Sequence, residues 1–198
     1  GYPPYCLAIS EPEAGSDNQG MECLATRTGD GKVHINGVKT WVTQGEHVDG
    51  FIVVCKDEDP SRENKNMSMY LVPANAPGVT IEPLNKIGMQ IMPFAMIHFD
   101  DVVIDETDLL GIQGKGFYQL MKNFEWERCV LLAELLGEAQ AAMEDACAWT
   151  NERMQFGKGI KTYQLVQEHI VEMQIELSNT RNFLYRTCWK MDNGIPVN

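Results

Sequence analysis

The apolar positions of the chain change their period near its middle. In the first half, residues 20–28 and then Val33, Ile35, Val38, Thr40 and Val42 follow the two-residue alternation of half-buried strands. Asn36-Gly37 interrupts that alternation, and because both central residues of a type I′ turn need positive φ, the dipeptide predicts a tight hairpin there. Short β-rich runs follow at 51–56, 67–72, 79–84 and 96–104, separated by Pro, Gly, Asn and Asp. This spacing predicts a compact antiparallel barrel or sandwich over residues 1–111.

From Gly116 the period becomes helical, with Phe117, Leu120, Phe124, Leu131, Leu135, Ala139, Ala142 and Ala146 at three- and four-residue steps. A second helix is predicted from about Thr162 to Asp192, stopping at Asn193-Gly194. The fold class is therefore α+β, a β domain over 1–111 followed by helices of an incomplete four-helix bundle over 112–198. Two helices with wide apolar faces do not bury a core alone, so further chain or another subunit is expected to cover them. The Gly-Tyr-Pro-Pro start and the stop just after a helix suggest a piece of a longer protein.

Composition narrows the function classes. Of 198 residues, 44% are hydrophobic and 22% charged, which excludes disorder, and no apolar run reaches the roughly 20 residues of a membrane span. Sixteen Lys and Arg against 28 Asp and Glu give a net charge of −12, which argues against nucleic acid as a partner. The six cysteines are scattered without a C-x-x-C pair and read as reduced, mostly buried thiols of a cytoplasmic protein with no metal site.

Two segments carry candidate chemistry. Ala8-Ile9-Ser10-Glu11-Pro12-Glu13-Ala14-Gly15-Ser16-Asp17 packs hydroxyls and small residues into a turn, which serves either as an irregular connection or as a set of N–H and O–H donors to a polar ligand. Trp41-Val42-Thr43, taken alone, reads as an ordinary strand with Trp41 in the core. Together they change the reading, because A-I-S-E-P-E-A-G-S-D-N-Q-G resembles the first signature of the acyl-CoA dehydrogenase family. Ile35-Asn36-Gly37-Val38-Lys39-Thr40-Trp41-Val42-Thr43 resembles its second strand pair, Phe99-Asp100-Asp101-Val102 with Leu110 to Phe117 its link into the helical domain, and Arg153-Met154-Gln155-Phe156-Gly157 with Tyr163-Gln164 a further element. Gln90-Ile91-Met92-Pro93-Phe94 departs from the family, which commonly has Arg and small hydroxyl residues there.

The resemblance implies FAD as cofactor, acyl-CoA as substrate, an electron-transfer flavoprotein as redox partner and a homodimer or homotetramer. It places the flavin ring against Leu7, Ala8, Ile9 and Ser10, with Trp41 on its face and the Thr43 hydroxyl donating to N5. Arg153, Gln155, Phe156 and Gln164 would reach the FAD of a neighbouring subunit, and Ser16 the pantetheine arm. Only part of the cofactor cradle lies in this stretch, so residues 1–198 alone are expected to bind FAD weakly and to be inactive. Within the family the nearest likeness is to crotonobetainyl-CoA reductases of carnitine metabolism, through Phe124-Glu125-Trp126-Glu127-Arg128, Tyr163 to Glu168 and Trp189 to Gly194. Ordinary short- or branched-chain dehydrogenases share most of those residues.

A base is needed for the α-proton of a thioester, and Glu127 is the candidate. On a helical wheel Arg128 lies in the middle of the apolar stripe of Leu120, Phe124, Leu131 and Leu135, and Glu127 lies at its edge. Buried there, Arg128 would need an anionic partner, for which Glu125 and Glu127 are both placed. Spacing leaves open whether these acids are partners, solvated flanks or the base; the resemblance favours Glu127 as base, with Glu125 and Arg128 beside the substrate.

Overall fold

The computed structural model describes residues 5–58 and 66–197. The Gly-Tyr-Pro-Pro start thus lies outside the described residues. The chain divides into two compact units, Gly1–Met121 and Lys122–Asn198.

The first unit is built on one seven-stranded sheet. Its strands are β1 (Tyr5–Ala8), β2 (Leu24–Arg27), β3 (Lys32–Thr43), β4 (Gly50–Asp57), β5 (Met67–Pro73), β6 (Val79–Leu84) and β7 (Phe94–Asp105). The order is β1-β4-β2-β3-β7-β6, with β5 on the other edge of β4. Most pairs are antiparallel, as the alternation predicts, but β1 and β2 both run parallel to β4, so the sheet is mixed. One edge of β4 takes β1 along Gly50 to Val53 and then β2 at Lys56 and Asp57.

Strand β4 is buried on both faces, which suits its nearly unbroken apolar run. Phe51, Val53 and Cys55 join Ile35, Tyr70, Ile97 and Phe99 in the main core, where Phe51 meets Phe99 edge to face at 6.2 Å. Val54 faces a second cluster with Met21, Met67 and Met69, against which Leu7, Ile9 and Phe117 pack.

The hairpin expected at Asn36-Gly37 is not there: both residues lie inside the twelve-residue β3. The β2–β3 turn falls instead at Thr28 to Gly31, where Asp30 accepts from the Thr28 hydroxyl and the Lys32 amide. Asn36 and Gly37 serve a bulge. Strand β7 carries an extra residue opposite them, and the amide of Asp101, held at φ +48°, donates to Asn36 Oδ1 at 2.8 Å. Gly37 has φ +145°, and a Cβ on it would stand 2.7 Å from Cys23 Cα. The glycine is there for close approach of two strands, a need that looks identical in sequence to that of a turn.

Helix α1 spans Gly116–Glu152 and α2 spans Gln164–Asp192, ending at Asn193 as predicted. The division between the units falls inside α1 because its first turns belong to the β unit, where Leu120 is fully buried. Among the described residues of the helical unit, Leu136, Met143, Leu177 and Leu184 form a buried cluster. Leu131, Leu135, Leu165, Ile175, Phe183 and Trp189 remain exposed, in line with two helices that lack the partners to enclose a core. Among the described residues no helix is long and apolar enough to cross a membrane.

Candidate functional site

On the β unit the candidate residues gather around the junction of β1 and β3. Leu7 and Ala8 close β1, and the chain then turns through Ile9, Ser10 and Glu11, with the Ser10 carbonyl accepting the Thr40 amide at 2.8 Å. Strand β3 carries a second bulge between Lys39 and Val42, centred on Trp41 at φ +57°. The extra residue reverses the alternation: Lys39 and Thr40 are both buried, and Trp41 and Thr43 both point out. Trp41 is therefore 60% exposed rather than in the core, the opposite of what its strand context alone predicts.

The turn is anchored from below by groups that the sequence reading did not single out. Lys39, with no exposed surface, extends its Nζ to the Ile9 carbonyl at 2.9 Å and to Glu11 Oε1 at 2.7 Å. Glu11, 7% exposed, also accepts the amides of Glu22 at 2.6 Å and Cys23 at 3.0 Å. In the alternation that turns Val38, Thr40 and Val42 inward, Lys39 would face outward, so no local signal marks its burial, which needs a partner because lysine is almost never buried unpaired. Cys23 and Cys55, distant in sequence, lie with their sulfurs 3.6 Å apart, and all six cysteines are free. Complete burial pushes the Cys55 thiol well up, and half-burial pushes that of Cys6 up to about 11.

The surface so formed suits a flat ligand with polar edges. It offers one exposed indole, and the hydroxyls of Ser10, Thr43 and the exposed Ser16 have no protein partner among the described residues. These groups fit an isoalloxazine ring: a π face to cover one side and an O–H donor for a ring nitrogen.

A second buried polar group connects β4 and β5 to the segment before α1. Asp57 accepts from the Ser68 hydroxyl at 2.5 Å and the Tyr70 hydroxyl at 2.6 Å, and Ser68 Oγ in turn accepts the Gly114 amide at 2.8 Å. Burial and the adjacent Asp57 push the Tyr70 phenol far up, so it stays a donor.

On the helical unit Arg153, Gln155 and Phe156 share one small hairpin, made by β8 (Met154–Gln155) and β9 (Lys158–Gly159). Phe156 and Gly157 are its two central residues, at φ +53° and +76°, the type I′ signature that Asn36-Gly37 lacks. A bulky residue in that conformation is strained, and Phe156 is held out from the tip 93% exposed. The hairpin is steadied by Tyr163, whose hydroxyl donates to the Gln155 carbonyl at 3.1 Å and whose ring lies under Lys158 Nζ at 4.4 Å. Exposed Gln164 follows as the first residue of α2. These four candidates thus come together.

The candidates on α1 do not form a buried cluster. Glu125, Glu127 and Arg128 are all exposed, and Glu127 is met by Asn123 Nδ2 at 3.5 Å. Among the described residues Arg128 has no buried anionic partner; its guanidinium lies over the Phe124 ring at 5.8 Å. Because Leu131 and Leu135 are themselves exposed, the stripe that holds Arg128 leaves its charge hydrated and only its planar face packed.

Comparison with known proteins bears on the family and the fold. The family model for the acyl-CoA dehydrogenase middle domain matches residues 6–102, and that for the acyl-CoA dehydrogenase C-terminal domain matches residues 114–198. A probable acyl-CoA dehydrogenase, YdiO of Escherichia coli strain K12, is 38% identical over 192 residues, which are 97% of this chain and 50% of that protein. Among solved structures, acyl-CoA dehydrogenase from Geobacillus kaustophilus is 32% identical with a TM-score of 0.90, covering 97% of this chain and 51% of the other. Butyryl-CoA dehydrogenase from Megasphaera elsdenii is 30% identical with a TM-score of 0.90, at 97% and 50% coverage. The chain spans about half the length of these relatives.

Proposed function

The chain belongs to the acyl-CoA dehydrogenase family, and on that premise we propose that the protein is an FAD-dependent oxidoreductase acting on the α,β carbons of an acyl-CoA thioester. The observation that carries the reading is the β3 bulge, which costs regular pairing and turns a tryptophan out of the core to stand beside Thr43. Nothing in the sheet's own stability calls for an indole there, whereas a flavin ring does.

In this reading Leu7, Ala8, Ile9 and Ser10 border the ring, Trp41 covers one face and the Thr43 hydroxyl donates to N5. Arg153, Gln155, Phe156 and Gln164 reach the FAD of a second subunit of a homodimer or homotetramer; Arg153 neutralises pyrophosphate charge and Phe156 supplies a stacking face. Ser16 binds the pantetheine arm. Bound FAD supplies a two-electron acceptor or donor for hydride at Cβ, and an electron-transfer flavoprotein exchanges those electrons. Glu127 takes or returns the proton at Cα. Glu125 and Arg128 stand beside the substrate.

The narrower reading is a crotonobetainyl-CoA reductase. Its support is the likeness around Phe124 to Arg128 together with one feature of the helical unit: exposed Trp126 and Glu125 line a cleft with Met191 and Ile195, although Lys122, whose charge opposes a cationic ligand, lines it too. An aromatic face and a carboxylate are the groups that hold a trimethylammonium ion. Competition between betaine-type and butyryl- or crotonyl-CoA esters on the full-length protein tests both levels. Turnover of any of these esters supports the oxidoreductase, and preference for the betaine ester supports the reductase. Preference for uncharged esters returns the protein to the ordinary dehydrogenases, and no turnover of any short-chain ester, with no reduction of bound flavin, contradicts the proposal.

A further inference from the structure

The Lys39–Glu11 pair is the one fully enclosed ion pair among the described residues, and it lies beneath the surface assigned above to the flavin. Taking an ammonium and a carboxylate out of water costs several kcal/mol per ion, and an aliphatic pair of similar volume fills such space as stably or better. General stability therefore does not explain its presence. Its hydrogen bonds do: Nζ grips the Ile9 carbonyl and Glu11 Oε1, while both Glu11 oxygens hold the amides of Glu22 and Cys23 at the entry to β2. On the other side, the residue after Lys39 donates its amide to the Ser10 carbonyl, and the next is Trp41.

We propose that Lys39 is a positioning residue: its buried ammonium fixes the Ile9–Glu11 turn against the β3 bulge, so that Ser10 and the Trp41–Thr43 pair form a single preorganised surface for the flavin ring. The inference rests on the FAD reading above. Among the described residues the turn is held besides by the reciprocal Glu11–Ala14 backbone bonds, the Thr40–Ser10 bond and the Glu22 and Cys23 amides on Glu11. Without the ammonium, the Ile9 carbonyl loses its donor and the Glu11 carboxylate is left as a buried charge without its counter-ion, and the turn moves to find water. Ordering it again on binding then lowers affinity.

The test uses the full-length protein and its Lys39→Met and Glu11→Gln variants, read by backbone hydrogen exchange of the flavin-free form and by FAD affinity. Lys39→Met should speed exchange around residues 9–11 and 22–23 by about tenfold or more, leave the β6–β7 amides at Ile81 and Ile97 unchanged, and weaken FAD binding about tenfold or more. Glu11→Gln keeps one acceptor oxygen, turns the other into an NH2 and removes the counter-charge of Lys39, so it should speed exchange in the same segments, which also serves if Lys39→Met does not fold. The double variant should recover thermal stability without recovering FAD affinity. Wild-type exchange around residues 9–11 in both single variants overturns the proposal, and so does full recovery of FAD affinity in the double variant. If the wild type takes up no FAD while the exchange changes appear as described, the flavin reading fails and the anchoring role of Lys39 stands.

Discussion

Replacing Ser68 by Ala removes one oxygen from a fully buried site and leaves the packing of the strand unchanged. That oxygen makes two bonds: it donates to Asp57 Oδ2 and accepts the Gly114 amide. Loss of a bond to a charged group costs about 1.5–3 kcal/mol and of an ordinary one about 0.5–1.5, so the variant should lose about 2–4 kcal/mol. At about 2–4 °C per kcal/mol for a chain of this size, the midpoint of thermal unfolding should fall by roughly 5–15 °C. Tyr70→Phe removes the other donor to Asp57, and because the double variant leaves the carboxylate bare in a buried place, its loss should exceed the sum of the singles by about 1 kcal/mol or more. Calorimetry or circular dichroism of the three variants reads this directly, and hydrogen exchange at Gly114, just ahead of α1, should rise in Ser68→Ala. A midpoint within about 1 °C of wild type, or strict additivity, would refute the claim that Asp57 organises this junction.

Gly37→Ala should destabilise the β unit by about 2–5 kcal/mol, through a φ that disfavours Cβ and an overlap with Cys23, whereas a turn glycine at an exposed site would cost far less; denaturant unfolding distinguishes the two. With its thiol pushed up to about 11, Cys6 should alkylate at pH 8 on the order of 100-fold more slowly than a thiol at the usual 9, and the rate should climb as pH rises toward 11; peptide mapping that shows ordinary reactivity at pH 8 contradicts this. Glu127→Gln should abolish α-proton exchange and flavin reduction by acyl-CoA while FAD stays bound, and near-normal turnover would place the base elsewhere.

Much of the fold is legible in the sequence, because long periodic segments report their own burial. Strands β3 to β7 and both helices follow their apolar spacing, and Asn193-Gly194 stops α2 where a helix-ending pair should. What fails are features set by another segment. Strand β1 is four residues long and exists through parallel pairing with β4, which leaves no local mark. Asn36-Gly37 has the composition of a turn, yet it answers to a bulge in β7, while the true two-residue turn holds Phe156 at a position that composition alone would give to Asn. Trp41 follows a phase reversed by one inserted residue, so the rule that buries every second side chain points it the wrong way. Most of the site residues carried by motif lie on surfaces that the structure does expose, Ala8 being fully buried, but the buried groups Lys39, Glu11, Asp57 and Ser68 become visible only when strands distant in sequence are paired.

The proposal that the outward Trp41–Thr43 face binds flavin and that the Phe156 hairpin reaches the FAD of a second subunit is tested most directly by the FAD content of the full-length protein after gel filtration, compared with Trp41→Ala and Arg153→Ala variants. The account predicts a yellow wild-type oligomer with about one FAD per subunit, and folded variants, each altering a different unit, that both lose most of it. A folded, colourless wild type that takes up no added FAD, or full flavin retention in both variants, would contradict it.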